Sequence, residues 1–237
     1  MTNSIATIIK NLIGDDMDST LVSGYNDFII SGFNYIADII PAHSELWSAS
    51  NLPNTGRVSN STMNLNEDNI TRKVIMVTRK QSGDVDRKAK EVSYSNYLRG
   101  VDTSSIYYHG KSVRSPIYAI KPDGDLQISP SVESTDERIV YYFQYITADI
   151  SARTDFDSTA TATTGAGFPN DAIMAGCIKS ALNLLQSKIS DASQDEEDQE
   201  LLSLLQAQVG TLSQQLQEEV TRLGLPYKVI GVKDDVE

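Results

Sequence analysis

The chain has 237 residues and a formal net charge of −12 at pH 7, which argues against a dedicated nucleic-acid-binding surface because phosphates carry the same sign. Hydrophobic residues form 40% of the sequence, enough for a packed core in one or two domains. The single cysteine, Cys177, excludes an internal disulfide and fits a reducing compartment.

The N-terminal segment predicts two amphipathic helices. The first spans residues 4–14 and ends at Gly14, with apolar side chains at helical spacing. The second spans 21–40 and ends at Pro41, which cannot continue a helix. Polar residues within this second helix argue against a membrane span, and we expect no secretion signal before it. The apolar face of the first helix consists of Ile5, Ile8, Ile9 and Leu12.

From about residue 55 to 147 the sequence changes to short β-like runs rich in Ser, Thr, Asn and Tyr. A strand is predicted at 73–80 and a short helix at 93–100. Between two apolar runs lies Pro122-Asp123-Gly124, in which proline presets φ and glycine accepts a positive φ. This pattern predicts a hairpin with a three-residue loop.

The segment 138–146, RIVYYFQYI, predicts the strongest strand. Both faces of this strand carry apolar side chains, which favours either a central strand or a strand that packs one face on a neighbouring subunit. We therefore predict a subunit interface at aromatic residues of this strand and of the hairpin. They are Tyr118, Tyr141, Tyr142 and Phe143.

The C-terminal half predicts a flexible loop at 151–168, a helix at 172–189 and a long helix that ends near 223. A tail at 226–237 follows. The apolar face of the 172–189 helix comprises Met174, Cys177, Ile178, Ala181, Leu182, Leu185 and Ile189. The long helix carries a heptad-like seam of Leu202, Leu205, Val209, Leu212 and Leu216, which we interpret as intramolecular core.

Because the terminal helices need one another to bury their apolar faces, the sequence predicts an α+β fold. Residues 1–54 and 165–225 form a helical bundle in this prediction, and 55–150 form an inserted, small antiparallel β domain.

The chemically reactive residue types form no catalytic pattern. His43, His109 and Cys177 are too few and too scattered for a structural zinc site. Cys177 lies on an apolar helix face, which favours a small buried residue over a nucleophile. Asp149, Asp155 and Asp157 lack the spacing of a calcium loop, and the TGAG run lacks the lysine of a phosphate-binding loop. We expect no enzyme activity, no metal and no cofactor.

Four segments in this order resemble the head-to-tail connector proteins, also called adaptor or neck proteins, of tailed bacteriophages. They are GYNDFIISGFNYIADIIPAHSELW (24–47), SIYYHG followed by SPIYAIKPDGDLQISP (105–130), VYYFQYITADIS (140–151) and FPNDAIMAGCIKSALNLL (168–185) with the long helix after it.

The resemblance implies a virion protein at the portal vertex, assembled in the host cytoplasm as a homo-oligomeric ring, commonly a dodecamer. Its implied partners are the portal protein, a tail or nozzle protein, and double-stranded DNA that passes without specific binding, with no membrane involved. It also implies portal docking through the C-terminal tail, at Val229, Ile230 and Val232. The alternative interpretation is a helical interaction module, such as a scaffold or assembly chaperone, that binds a partner through its long helix.

Overall fold

The structure, a computed structural model, has an α+β fold with five helices and two small sheets among its described residues. It describes residues 4–14, 24–42, 44–47, 62–64, 72–80, 85–108, 114–131, 137–147, 156, 167–192 and 199–225. The helices are α1 (Ile5–Ile13), α2 (Tyr25–Ile39), α3 (Tyr94–Val101), α4 (Ile173–Ala192) and α5 (Gln199–Arg222). The strands are β1 (Thr62–Asn64), β2 (Arg72–Lys80), β3 (Arg87–Lys88), β4 (Lys90–Glu91), β5 (Ile117–Ile120), β6 (Asp125–Ser129) and β7 (Glu137–Gln144).

The chain divides into two compact units. The first, the helical unit, comprises Met1–Pro41, Ile146–Asp157 and Phe168–Glu237. The second, the β unit, comprises Ala42–Tyr145 and Ser158–Gly167. The β unit thus begins at Ala42, earlier than the predicted boundary after residue 54. Most of the loop predicted at 151–168, and the tail at 226–237, lie outside the described residues.

Helix α4 is the centre of the helical unit, because α1, α2 and α5 all pack against it. α1 begins after Ser4, whose hydroxyl accepts a hydrogen bond from the Thr7 amide at 3.1 Å, and ends at Gly14 with a φ of 93°. α2 begins only at Tyr25, later than predicted. None of the helices within the described ranges is long and apolar enough to cross a membrane.

The predicted seam of α5 packs inside the helical unit. Leu205, Leu212 and Leu216 are buried, and Val220 extends the seam by one further turn. On α4 the predicted apolar face is mostly correct, but Met174 is 37% exposed and does not belong to the core. Three phenylalanines, from α2 and from segments on either side of residues 157–167, complete this core with ring centroids 5.2 Å apart. They are Phe33, Phe156 and Phe168.

The β unit contains a four-stranded sheet in the order β1-β6-β5-β4 and a three-stranded sheet in the order β3-β2-β7. Apolar side chains from both sheets form one core, which includes Val77 and Val140 of one sheet and Leu126 and Ile128 of the other. Alternate residues of β5 point the other way, where Ile117 and Ala119 pack under α3. The layers of this unit are therefore sheet, sheet and helix.

Two strand predictions require correction. The inserted sheets are not wholly antiparallel, since β4 pairs with β5 in parallel. In the described part of its sheet, β7 lies at the edge and β2 at the centre. The apolar pattern of β7 on both faces arises because one face covers the core between the sheets, while Phe143 on the other face packs on Trp47 with ring centroids 5.4 Å apart.

The predicted hairpin forms between β5 and β6, with Ile120 opposite Leu126. The Gly124 amide donates to the Lys121 carbonyl at 3.0 Å, and Gly124 has a φ of 90°. The Asp123 carboxylate accepts a hydrogen bond from the Asp125 amide at 3.1 Å. Asp123 and Gly124 therefore have the roles that their chemistry predicts.

Candidate functional site

The four aromatic residues predicted to contact a neighbouring subunit lie mostly inside the β unit. Tyr118 and Tyr142 belong to the core between the two sheets, and Phe143 is fully buried. Tyr141 is half-buried. Burial therefore removes Tyr118, Tyr142 and Phe143 from the candidate interface, because the chain's own core accounts for their apolar character. The interface role of Tyr141 stays a prediction.

Several other candidate residues lie outside the described residues. They are the predicted portal-docking residues Val229, Ile230 and Val232, the histidines His43 and His109, and the loop carboxylates Asp149, Asp155 and Asp157. Across the described ranges, no group of three or more His, Cys, Asp or Glu residues could hold a metal ion. Cys177 is fully buried in the helical unit, in agreement with its interpretation as a small core residue.

A row of three arginines across the three-stranded sheet was not predicted from the sequence. Arg79 of β2 lies directly opposite both Arg87 of β3 and Arg138 of β7. Residues directly opposite one another share a face of a sheet. Arg79 is 2% exposed and Arg138 is fully buried, although charged side chains are seldom buried so completely. The row is therefore the strongest concentration of buried charge among the described residues.

Hydrogen bonds give Arg79 a structural role. Its Nε donates to the Pro130 carbonyl at 3.1 Å, and its Nη2 donates to the Ser131 carbonyl at 3.0 Å. This side chain thereby ties the end of β6 to the other sheet. Burial lowers the pKa of Arg138 to about 10, since the charged form is less well solvated inside the protein. The signal in the sequence was an arginine on the core-facing side of each of the two apolar strands, Arg79 in β2 and Arg138 in β7.

The most prominent exposed apolar surface of the β unit lies beside α3. We call it the α3 surface and define it by Leu98, Ile106, Tyr107 and Tyr108. Ile106 is 92% exposed and Tyr107 is 59% exposed, while Leu98 is 47% and Tyr108 is 37% exposed. Exposed apolar side chains that cluster in this way often mark interaction sites.

Hydrogen bonds order the turn that carries this surface. The Asp102 amide donates to the Leu98 carbonyl at 3.1 Å, and the Asp102 carboxylate accepts from the Ser104 amide at 2.9 Å. The Ser105 hydroxyl accepts from the Tyr107 amide at 3.1 Å, and the Ser105 carbonyl accepts from the Tyr108 amide at 3.0 Å. Ile106 is therefore held in water by a structured turn.

A groove of about 370 Å³ adjoins the α3 surface, and Leu98 and Tyr108 form part of its lining. Its other described lining residues come from α3, from the turn after it, and from β6 with the residues beyond, and none carries a charge. The Tyr97 hydroxyl donates to the Ile128 carbonyl at 3.2 Å and thereby fixes two walls of the groove to each other.

The helical unit has a second exposed apolar feature on α5. Leu204 is 58% exposed and Leu201 is 37% exposed. Leu204 lines a shallow groove of about 330 Å³ together with Leu12 of α1 and Thr211 of α5. No charged residue occurs between positions 201 and 217, in a sequence of which 22% is charged. This α5 surface suits contact with an uncharged partner more than solvation alone.

The comparisons with known proteins leave the family open. No family model matches the chain, and no curated protein is significantly similar to it.

Proposed function

We propose that this chain is a structural virion protein that forms a ring between the portal of a tailed-phage capsid and the tail, and extends the DNA channel. The observation that carries the proposal is the order of the four segments that resemble head-to-tail connectors. These segments contain α2 with Pro41 after it, the β5–β6 hairpin, the strand β7, and α4 with α5 after it.

The charge of the chain supports this role. DNA must slide along the wall of the channel without binding to it. A protein with a net charge of −12 repels the DNA phosphates. The predicted partners are further copies of the chain in a dodecameric ring, the portal protein and a tail or nozzle protein. DNA passes without specific contacts, and the mature protein resides at the neck of the virion after assembly in the host cytoplasm.

The test is the protein content of purified, DNA-filled virions. Mass spectrometry and antibody labelling should find the chain at the portal vertex. We expect about twelve copies per particle, because a closed ring has one fixed rotation between copies and therefore one fixed copy number. Absence of the chain from mature virions that are complete with tails would contradict the proposal.

The exposed α5 surface favours a second candidate, a scaffold or assembly chaperone. Leu201 and Leu204 are exposed on a helix that has no charge between 201 and 217, so α5 offers an uncharged face with two exposed leucines to a partner helix. A protein of this kind should occur in precursor particles and be absent from mature ones. The same virion analysis therefore separates the two candidates.

A further inference from the structure

We infer that the α3 surface binds a second copy of this chain. The inference rests on the proposed function, in which copies contact one another, and it names the surface that one copy offers to its neighbour. The aromatic core residues Tyr118 and Tyr142 are buried and cannot supply that contact. The exposed apolar side chains beside α3 can supply it.

An ordered turn exposes the apolar side chains of the α3 surface. A flexible loop could fold Ile106 back against the protein with little loss of free energy. Four hydrogen bonds instead hold the turn from Asp102 to Tyr108 in place. A preorganised turn loses little conformational entropy on binding, so its exposed side chains contribute their burial to affinity. Aromatic residues such as Tyr107 and Tyr108 are also enriched in protein interfaces.

The charge of the chain favours another copy as the occupant. Two chains that each carry −12 repel one another over most of their surface. Residues 92–108 include one cation, Arg99, and one anion, Asp102, so this stretch is neutral. The described lining of the adjoining groove is uncharged as well. Like-charged copies therefore meet little repulsion from this stretch, and the groove suits an uncharged apolar segment of the neighbour.

The area of the α3 surface also suits a contact between copies. From their exposed fractions, the four side chains of the α3 surface present roughly 500 Å² to water. Covering this surface and an equal area of the neighbour buries about 1,000 Å², the lower limit for a specific interface. A single contact of this size is weak, while a closed ring in which each copy makes two contacts is stable.

Cross-linking at one engineered thiol tests the contact directly. Cys177 is buried, so the thiol introduced by Tyr107→Cys is the accessible one when a photoreactive benzophenone maleimide is attached. We expect illumination of the concentrated full-length protein, or of assembled particles, to give covalent products of two and more chains. The matched control is Val85→Cys, which places the same reagent at another exposed apolar position of the β unit. It should give far less product.

A second measurement uses Ile106→Glu, with Val85→Glu as its control. Ile106→Glu should weaken self-association by about tenfold or more without lowering the melting temperature, since this side chain is in water in the single chain. Val85→Glu should leave association unchanged. The inference is overturned if Tyr107→Cys gives no cross-link between copies in either preparation, or if both glutamate variants associate like the wild type. Failure of the proposed function would instead appear as absence from virions.

Discussion

Gly32 lies where the backbones of α2 and α4 come closest. A Cβ at this position would lie 2.6 Å from the Ser180 amide nitrogen and 2.8 Å from the Ser180 Cα. The Ser180 hydroxyl lies within hydrogen-bond distance of the Ile29 carbonyl, at 3.2 Å, and of the Gly176 carbonyl, at 2.8 Å. The small residues thus permit a contact between helices that a larger side chain would force apart.

Gly32→Ala should therefore destabilise the helical unit by about 1–3 kcal/mol, because the backbone atoms of Ser180 cannot move aside as a flexible side chain could. Urea denaturation followed by circular dichroism measures the loss. Gly210→Ala is the matched control: Gly210 is an exposed helical residue with nothing within 4 Å of its Cβ position. This change should stabilise α5 by about 1 kcal/mol. Equal effects of both variants would contradict the close packing of α2 on α4.

Tyr118 gives a prediction about alkaline pH. Its hydroxyl donates to the Glu91 Oε2 at 3.0 Å. Burial, followed by the charge of Glu91 and this hydrogen bond, raises the pKa of Tyr118 above its ordinary value of 10.0. The contribution of the protonated phenol to stability is therefore fully present below pH 10.0 and is lost as the pH rises toward the folded-state pKa, since the unfolded chain releases the proton first.

Tyr118→Phe removes this titration. Between about pH 9 and about pH 11, the free energy of unfolding of the wild type should fall by of order 1 kcal/mol more than that of the variant. Urea denaturation at several pH values measures both. Parallel pH profiles would show that the phenol of Tyr118 ionises equally well in the folded and unfolded chains.

Among the elements, α5 has two faces with opposite consequences for substitution. Leu205 is 5% exposed within the seam, whereas its neighbour Leu204 lies mostly in water. Leu205→Asp should cost about 3–5 kcal/mol and unfold the helical unit, because it creates a cavity and buries an unpaired carboxylate. Leu204→Asp should change stability by no more than about 0.5 kcal/mol. Thermal melts of the two variants compare them directly, and an unchanged melt for Leu205→Asp would exclude the seam from the core.

The β5–β6 hairpin depends on one left-handed residue. Gly124 has a φ of 90°, where a Cβ is strained. Gly124→Ala should destabilise the β unit by about 1–2 kcal/mol, and Gly124→Asn should cost less because asparagine adopts left-handed backbone more readily. Chemical denaturation ranks the three proteins. A ranking with alanine above asparagine would indicate that the loop adopts another turn.

At the scale of the whole molecule, the tail after Pro226 is predicted to dock on the portal through Val229, Ile230 and Val232. These apolar residues are too few to build a core, and a strand-like run can add to a partner's sheet. A chain shortened after Pro226 should therefore keep its melting temperature and lose binding to portal-bearing capsids. Cosedimentation with capsids measures binding. Full attachment of the shortened chain would assign docking to another part of the molecule.

The sequence by itself predicted the elements that depend on local chemistry. Helical spacing of apolar residues predicted α1, α4 and α5, and the turn residues Pro122-Asp123-Gly124 predicted the β5–β6 hairpin. These predictions succeeded because hydrophobic periodicity and the preference for a positive φ depend only on residues that are close together in the sequence. The α+β class follows from the same patterns, since both terminal segments are helical and the middle of the chain is β-rich.

Tertiary structure alone decided which apolar side chains are core and which are surface. The sequence gives Tyr142 and Tyr107 similar apolar neighbours, yet the first lies between two sheets and the second lies in water. The register that aligns Arg79 with Arg138 across β2 and β7 likewise depends on pairing between strands distant in sequence. Burial is a property of what packs against a residue, and for these residues the packing partners are tens of positions away along the chain.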